Sequence, residues 1–133
     1  NWAIEKARLT LWHFEESLKS PQENQSYFSV KVRIMDGEIG EHIWLTEPHF
    51  DEEGNLFGTV GNDPIDVKTV KLDQEIGVDR EFISDWMIIV GGRLVGGYTL
   101  RAIRDGIPDK DKADFDQSIG MYIDEGIDYF KGV

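Results

Sequence analysis

The sequence predicts an α+β fold, with an N-terminal helix packed on a curved antiparallel sheet of five or six strands and a C-terminal helix. Apolar residues at helical spacing near both ends of the chain, and strand-like alternation between them, support this prediction. The chain has 133 residues, of which 40% are hydrophobic, and this is the size and apolar content of one domain with one core. We therefore expect a single domain over residues 1–133, with a helix at 1–20, the sheet at 27–104 and a helical extension at 109–131.

The first 20 residues carry the pattern of one amphipathic helix. Apolar side chains recur there at steps of three and four residues, which places them on one helical face: Ile4, Ala7, Leu11, Phe14 and Leu18. Pro21 disfavours the helical conformation at the residue before it, so the helix should end at this point.

The middle of the chain has the pattern of strands separated by turns. Residues 28–34 alternate between apolar and polar side chains, as in a strand with one buried face. A hairpin signal at Asp36-Gly37 leads into a partner strand over 41–46, in which both faces carry large apolar side chains. Further strands are predicted over 56–60, 65–72, 76–82, 86–90 and 94–99.

Two turns between these strands, and one glycine pair within a strand, have interpretable residues. Asn62 and Pro64 fit a turn in which the Asn62 side chain bonds to nearby backbone, which is a structural role. Gly91-Gly92 is typical of a tight turn, and Gly96-Gly97 indicates a bulge or a close approach of backbone.

The C-terminal segment is predicted to be helical from residue 109 to residue 131. Six apolar residues fall at helical spacing: Phe115, Ile119, Tyr122, Ile123, Ile127 and Phe130. The acids at 109–116 suit the first turns of this helix, where negative charge faces the positive end of the macrodipole. They do not form a calcium loop of the EF-hand type, because the required glycine and final glutamate are missing.

The charge of the chain is strongly negative and unevenly distributed. Fourteen Lys and Arg residues against 26 Asp and Glu residues give a net charge of −12. Residues 36–81 hold 13 of the acids and only three bases. Such a field repels nucleic acid and anionic membranes, so we expect neither as a partner, and a basic protein partner is favoured.

Several classes of site are excluded by composition and spacing. The chain has no Cys, and its three His residues are scattered, so we expect no disulfide, no metal site and no cofactor. No nucleophile motif is present, and the sequence nominates no catalytic residue. The longest apolar run, 86–90, is far shorter than the ~20 residues of a membrane-spanning helix. A reducing cytoplasm is the compartment we favour, and the start at Asn1 rather than Met leads us to expect residues upstream.

Four short segments together resemble a known family. They are Glu-His-Ile-Trp at 41–44, Asn-Asp-Pro at 62–64, Ile-Ser-Asp-Trp-Met at 83–87 and Gly-Tyr-Thr-Leu-Arg at 97–101. In this order they resemble the YegJ-like domain of unknown function, a bacterial family of uncharacterised proteins, over roughly residues 3–115. The resemblance implies an α+β domain from bacteria with no assigned activity.

Five residues in or near these segments are candidates for a ligand or partner site: His42, Trp44, Asp85, Trp86 and Arg101. Trp44 and Trp86 are expected to anchor the core, and Ser84 to bond locally with Asp85. Asp85 and Arg101 could form one charge-assisted pair at the end of the sheet. If His42, Asp85 and Arg101 instead converge beside an open cleft, they are the best candidates for a ligand site.

These observations favour a non-catalytic binding or accessory protein whose acidic surface contacts a basic protein, as an immunity-like protein that neutralises a toxin does. The alternative is a small-molecule binder or enzyme with its pocket between the first helix and the sheet. A structural domain of a longer chain is the third possibility. Two layouts of the fold stay open at this point, a cystatin-like helix on a sheet and a small barrel with added helices.

Overall fold

Within the part of the chain that the structure describes, helices lie before and after the strands. The computed structural model describes residues 2–120 and Ile123. The helices are α1 (Trp2–Leu9), α2 (Leu11–Lys19), α3 (Tyr98–Asp105) and α4 (Asp109–Ile119). The strands are β1 (Gln25–Asp36), β2 (Ile39–Phe50), β3 (Leu56–Val60), β4 (Glu75–Gly77), β5 (Ile83–Val90) and β6 (Arg93–Gly96).

The strands form an open antiparallel sheet in the order β4-β3-β2-β1-β5-β6. The two longest strands, β1 and β2, are joined by the hairpin predicted at Asp36-Gly37, with Asp36 opposite Ile39. The predicted α+β class is confirmed, and the antiparallel sheet, predicted to have five or six strands, has six within the described residues. Because the sheet is open, the layout of helices on a sheet applies and the small barrel does not.

The N-terminal segment is two helices rather than the one helix predicted. α1 ends at Leu9 and α2 begins at Leu11, with Thr10 between them at φ −111° and ψ 5°. The Thr10 hydroxyl donates to the Lys6 carbonyl at 2.7 Å and accepts a hydrogen bond from the indole nitrogen of Trp86 at 3.3 Å. A threonine hydroxyl that competes for helix carbonyls can break a helix that apolar spacing alone would predict as continuous.

The segments after β3 also differ from the prediction. Residues 65–72 form a loop rather than a strand, and of 76–82 only the short β4 and a 3₁₀ turn at Arg80–Phe82 are regular. The predicted strand 94–99 ends at Gly96, and α3 follows at once. The predicted helix 109–131 is α4 as far as Ile119, and Gly120 caps it at φ 70°. Of the remaining predicted residues, only Ile123 lies within the described part of the chain.

Apolar side chains cover both faces of the sheet. On one face, Trp86 and Phe14 are fully buried, with their ring centroids 5.9 Å apart, and α2 packs there against the centre of the sheet. On the other face, Met87 and Leu94 are buried in a second cluster. This second cluster also includes the partly buried residues Trp44, Ile89, Leu100, Phe115 and Ile119.

Gly96 permits the sharp passage from β6 into α3. Its φ is +75°, and a Cβ added there would lie 2.6 Å from both the ring atom Cε3 and the carbonyl oxygen of Trp86. The close approach predicted for Gly96-Gly97 is therefore present. It brings the start of α3 against β5, which positions the candidate site.

Candidate functional site

Asp85 is a buried carboxylate that holds the start of α3 against β5. Its side chain accepts four hydrogen bonds, from the backbone NH groups of Trp86, Tyr98 and Thr99 at 2.8, 3.1 and 2.8 Å, and from the Thr99 hydroxyl at 2.5 Å. Burial raises the pKa of Asp85, and these hydrogen bonds oppose that rise. The side chain is fully buried, so its role is to position α3 rather than to contact a ligand.

Lys31 lies beside this carboxylate on the neighbouring strand β1. Lys31 pairs with Asp85 in the register of β1 and β5, and its Nζ donates to the Thr99 hydroxyl at 3.2 Å. The ammonium also lies 5.6 Å from the ring centroid of Trp44. Burial lowers the pKa of Lys31, and the negative charge of Asp85 opposes this effect. A partly buried cation is thus held at the junction of β1, β2 and α3.

His42 and Ser84 are joined by a hydrogen bond at the edge of the same junction. His42 Nδ1 and Ser84 Oγ are 2.9 Å apart, which replaces the predicted local bond between Ser84 and Asp85. Burial lowers the pKa of His42, and the positive charges of Lys31 and Arg33 lower it further. Arg33 lies directly opposite His42 in the β1–β2 register. Ser84 is buried within the β5 strand, unlike a nucleophile exposed on a sharp turn.

A cleft opens between α1, the sheet and α3, and these polar groups form its base. Its volume is about 420 Å³, within the usual range for small-molecule sites. Lys31, His42, Ser84 and Thr99 are its polar lining. The apolar lining consists of Ala3 and Ile4 of α1 and Ala102 and Ile103 of α3. A second depression of about 370 Å³ shares Ile4, His42 and Ser84 with it and adds Arg8, Arg33, Glu81, Phe82 and Ile83.

The expected pair between Asp85 and Arg101 is not formed, although the structure describes both residues. Asp85 takes its hydrogen bonds from Trp86, Tyr98 and Thr99, whereas Arg101 donates at 2.8 Å to the carbonyls of Gly96 and Leu94. The reason is positional, because the turn at Gly96-Gly97 presents backbone NH groups to the carboxylate and β6 carbonyls to the guanidinium. Both side chains still fix α3 to the sheet, but by separate contacts.

The five candidate residues therefore do not form one site. His42 lines the cleft, Asp85 lies buried behind Thr99, and Trp86 is fully buried in the main core cluster. Trp44 is partly buried and borders a different, mainly apolar depression of about 560 Å³ with Met87, Leu100 and Ile119. Arg101 links α3 to β6 through its hydrogen bond to the Gly96 carbonyl.

Three polar residues of the cleft were not among the predicted candidates: Lys31, Ser84 and Thr99. Lys31 lies at a polar position of an alternating strand, where a basic residue ordinarily faces solvent. Ser84 and Thr99 lie within the segments 83–87 and 97–101 that carry the family resemblance, and that proximity was the one signal available. Asn62 and Pro64 lie in the turn after β3, where the Asn62 amide donates to the Asp63 carbonyl at 3.4 Å.

Comparison with known proteins identifies the family. A sequence profile described as "Uncharacterized protein conserved in bacteria (DUF2314)" matches residues 1–123. The chain belongs to the DUF2314 family. An uncharacterised protein of Escherichia coli K12, YegJ, is 36% identical to this DUF2314 chain over 112 residues, which cover 84% of the chain and 71% of YegJ. The resemblance to the YegJ-like family is thus confirmed.

A second relative of this DUF2314 chain comes from Neisseria meningitidis serogroup B, and its name refers to ankyrin repeats. It is 30% identical over 129 residues, which cover 91% of this chain and 51% of the relative, so the chain spans about half of that protein. No solved structure matches the chain.

Two kinds of feature are absent from residues 2–120 and Ile123. No group of three or more His, Asp or Glu side chains within these residues is arranged to hold a metal ion. None of the helices described there is long and apolar enough to cross a membrane.

Proposed function

We propose that this chain is a non-catalytic binding protein that contacts a basic protein partner through one acidic end of its sheet, in the manner of an immunity-like protein. The acidic end consists of the β1–β2 hairpin, residues 36–41, and the loop 61–69. It contains five of the acidic residues and a single Lys: Asp36, Glu38, Glu41, Asp63 and Asp66, with Lys68. Complementary charge at such a surface raises the rate of association with a basic partner and disfavours acidic partners.

The observation that carries this proposal is the way Glu41 holds the loop. The Glu41 carboxylate accepts hydrogen bonds from the backbone NH groups of Ile65, Asp66 and Val67 at 2.9, 2.7 and 3.2 Å. The Asp36 carboxylate likewise accepts a hydrogen bond from the backbone NH of Lys68 at 2.9 Å. Because the loop is held in one conformation, binding costs less ordering entropy than it would for a loose segment.

The acidic end also presents two large apolar side chains to solvent. Ile65 is 87% exposed on the loop, and Ile39 is 52% exposed on the adjoining hairpin. Exposed isoleucines within a polar, charged surround are the composition expected of a contact surface, in which apolar anchors are ringed by polar groups. The acids would then steer a basic partner, and the isoleucines would contribute contact area.

The test is capture of partners from a bacterial lysate on immobilised wild-type chain and on the triple variant Asp63→Asn, Ile65→Ala and Asp66→Asn. The matched control is Asp105→Asn with Asp114→Asn, which removes the same charge from exposed positions on α3 and α4. We expect a basic protein, identified by mass spectrometry, on the wild type and the control but not on the triple variant. Its retention should be lost in 1 M salt, since screening shortens the reach of surface charges. A partner retained equally in 1 M salt or by the triple variant would contradict the proposal.

Small-molecule binding in the cleft between α1, the sheet and α3 is the second candidate function. The observation that favours it is the polar base of Lys31, His42 and Ser84 beneath apolar walls from both helices. Ligand binding in this cleft can be tested independently of the acidic end.

A further inference from the structure

We infer that the cleft binds a small organic anion, with its acidic group at the base beside Lys31, His42 and Ser84 and a short apolar part against α1 and α3. This inference rests on the second candidate function and assigns the chemical class of its ligand.

Charge at the cleft is opposite in sign to that of the molecule. Lys31 lines the cleft, and Arg8 and Arg33 line the depression that continues from it past His42. Two acids lie close by: Glu81 borders the depression, while Asp85 lies buried beneath Thr99 and already accepts four hydrogen bonds. At physiological salt the distant acids of this −12 chain are largely screened beyond about 8 Å, so an anion in the cleft responds mainly to these nearby cations.

The polar base offers hydrogen-bond donors as well as charge. An ammonium has three N–H donors, and the Lys31 ammonium directs one of them at the Thr99 hydroxyl. The His42 ring and the Ser84 hydroxyl, 2.9 Å apart, add groups that can donate to an anionic oxygen. Their position beneath the apolar walls partly excludes water, which strengthens each charge-assisted bond.

The apolar walls account for an otherwise unexplained surface residue. Ile103 of α3 is 54% exposed and lies at the cleft wall with Ala102, facing Ala3 and Ile4 of α1. An apolar part of the ligand would cover the exposed surface of Ile4, Ala102 and Ile103. The cleft therefore fits an amphipathic anion better than a bare inorganic ion.

The experiment is a titration of the ¹⁵N-labelled chain with sodium hexanoate, followed by the backbone amide shifts of Ser84, Thr99 and Ala102. Hexanol and hexylammonium are the matched neutral and cationic probes, with the same number of carbon atoms. We expect saturable shifts with hexanoate only, and a rise in the pKa of His42 on binding, because an anion stabilises the protonated ring. The charged groups that face His42 are Arg33 and Lys31 on β1, Arg8 on α1, Glu81 on the 3₁₀ turn and Asp85 on β5.

The variants Arg33→Gln and Lys31→Gln separate the ligand class from cleft binding in general. Each should weaken hexanoate binding by roughly five- to tenfold, since each removes one nearby cation. Lys19→Gln, a cation at the end of α2 beside Phe50, should leave it unchanged. Arg33 is exposed, so its variant is expected to fold even if loss of Lys31 disturbs the buried Asp85. Equal shifts with hexanol or hexylammonium would overturn the anion assignment while leaving cleft binding in place, and absence of shifts with all three probes would overturn both.

Discussion

Thr99 donates both its backbone NH and its hydroxyl to the same carboxylate oxygen of Asp85, at 2.8 and 2.5 Å. Asp85 lies 14 residues earlier in the chain, as the third residue of β5. A helix start is ordinarily capped by the residue directly before it, but here that residue is Gly97, which has no side chain. A strand residue thus supplies the cap of α3 and holds the helix that forms one wall of the cleft.

Replacement of Asp85 by Ala should be strongly destabilising. The change leaves the NH groups of Trp86, Tyr98 and Thr99 without their acceptor in a buried site, at a cost on the order of 3 kcal/mol. Urea unfolding followed by Trp fluorescence measures the free energy of unfolding. Asp114→Ala on exposed α4 is the control and should change it by less than about 0.5 kcal/mol. An Asp85→Ala chain as stable as this control would show that water replaces the carboxylate.

The raised pKa of Asp85 predicts a pH dependence of stability with a definite sign. Burial raises the pKa of Asp85 in the folded chain above its ordinary value of 3.8, so the folded state holds more protons than the unfolded state between the two values. The contribution of Asp85 to stability is therefore largest below pH 3.8 and falls as pH rises through the folded pKa. The difference in unfolding free energy between wild type and Asp85→Asn, measured from pH 3 to pH 7, should follow this fall. A difference that is constant with pH would contradict the raised pKa.

Two glycines with similar backbone conformations should differ sharply when replaced by Ala. Gly96 and Gly92 have φ of +75° and +79°, but a Cβ at Gly96 would meet Trp86 at 2.6 Å, whereas one at Gly92 meets nothing within 4 Å. Gly92→Ala should cost about 1 kcal/mol, from the left-handed conformation alone. Gly96→Ala adds the clash and should cost roughly 3 kcal/mol. Thermal or urea unfolding of the pair is the measurement, and equal losses would mean that the Trp86 ring can move aside.

The charges around His42 should be visible in its titration. Burial lowers the pKa of His42 below 6.5, with Lys31 and Arg33 adding to the effect, so Arg33→Gln should raise this pKa part of the way back. For the wild type, the unfolded state then binds more protons below pH 6.5, and the His42 contribution to stability is lost as pH falls from there. Ring-proton shifts in an NMR titration report the pKa. Lys19→Gln serves as the distant control, and an unchanged value in Arg33→Gln would argue against coupling across the β1–β2 pair.

The hold of Glu41 on the loop should be measurable by amide hydrogen exchange. Hydrogen bonds from the Ile65, Asp66 and Val67 amides lower the pKa of Glu41, so the carboxylate form holds the loop at neutral pH. Glu41→Ala should therefore speed exchange at these three amides, while Glu38→Ala on the same hairpin should not. In the wild type, protection should be present above the ordinary carboxyl pKa of 4.5 and be lost as pH falls through the lowered value. Unchanged exchange in Glu41→Ala would mean that the acidic end is held by other contacts.

Local sequence pattern was sufficient to predict the α+β class, the β1–β2 hairpin and the close approach at Gly96. Each of these depends on short-range rules: alternation in residues 28–34, a turn at Asp36-Gly37, and a glycine pair where backbone must approach backbone. The family resemblance likewise followed from short segments read in order. These features could be predicted because the signals for them lie in residues close together in the sequence.

The break between α1 and α2, the start of α3 and the cleft depend on contacts between residues far apart in the chain. The break at Thr10 involves Trp86, 76 residues away, and the start of α3 depends on Asp85. Lys31, His42 and Ser84 meet only because the strand order places β1 between β2 and β5. Strand order and register are consequences of burying both faces of the sheet at once, and a periodic pattern specifies which residues are buried but not which strands become neighbours. The cleft and its charge are therefore properties of the tertiary structure.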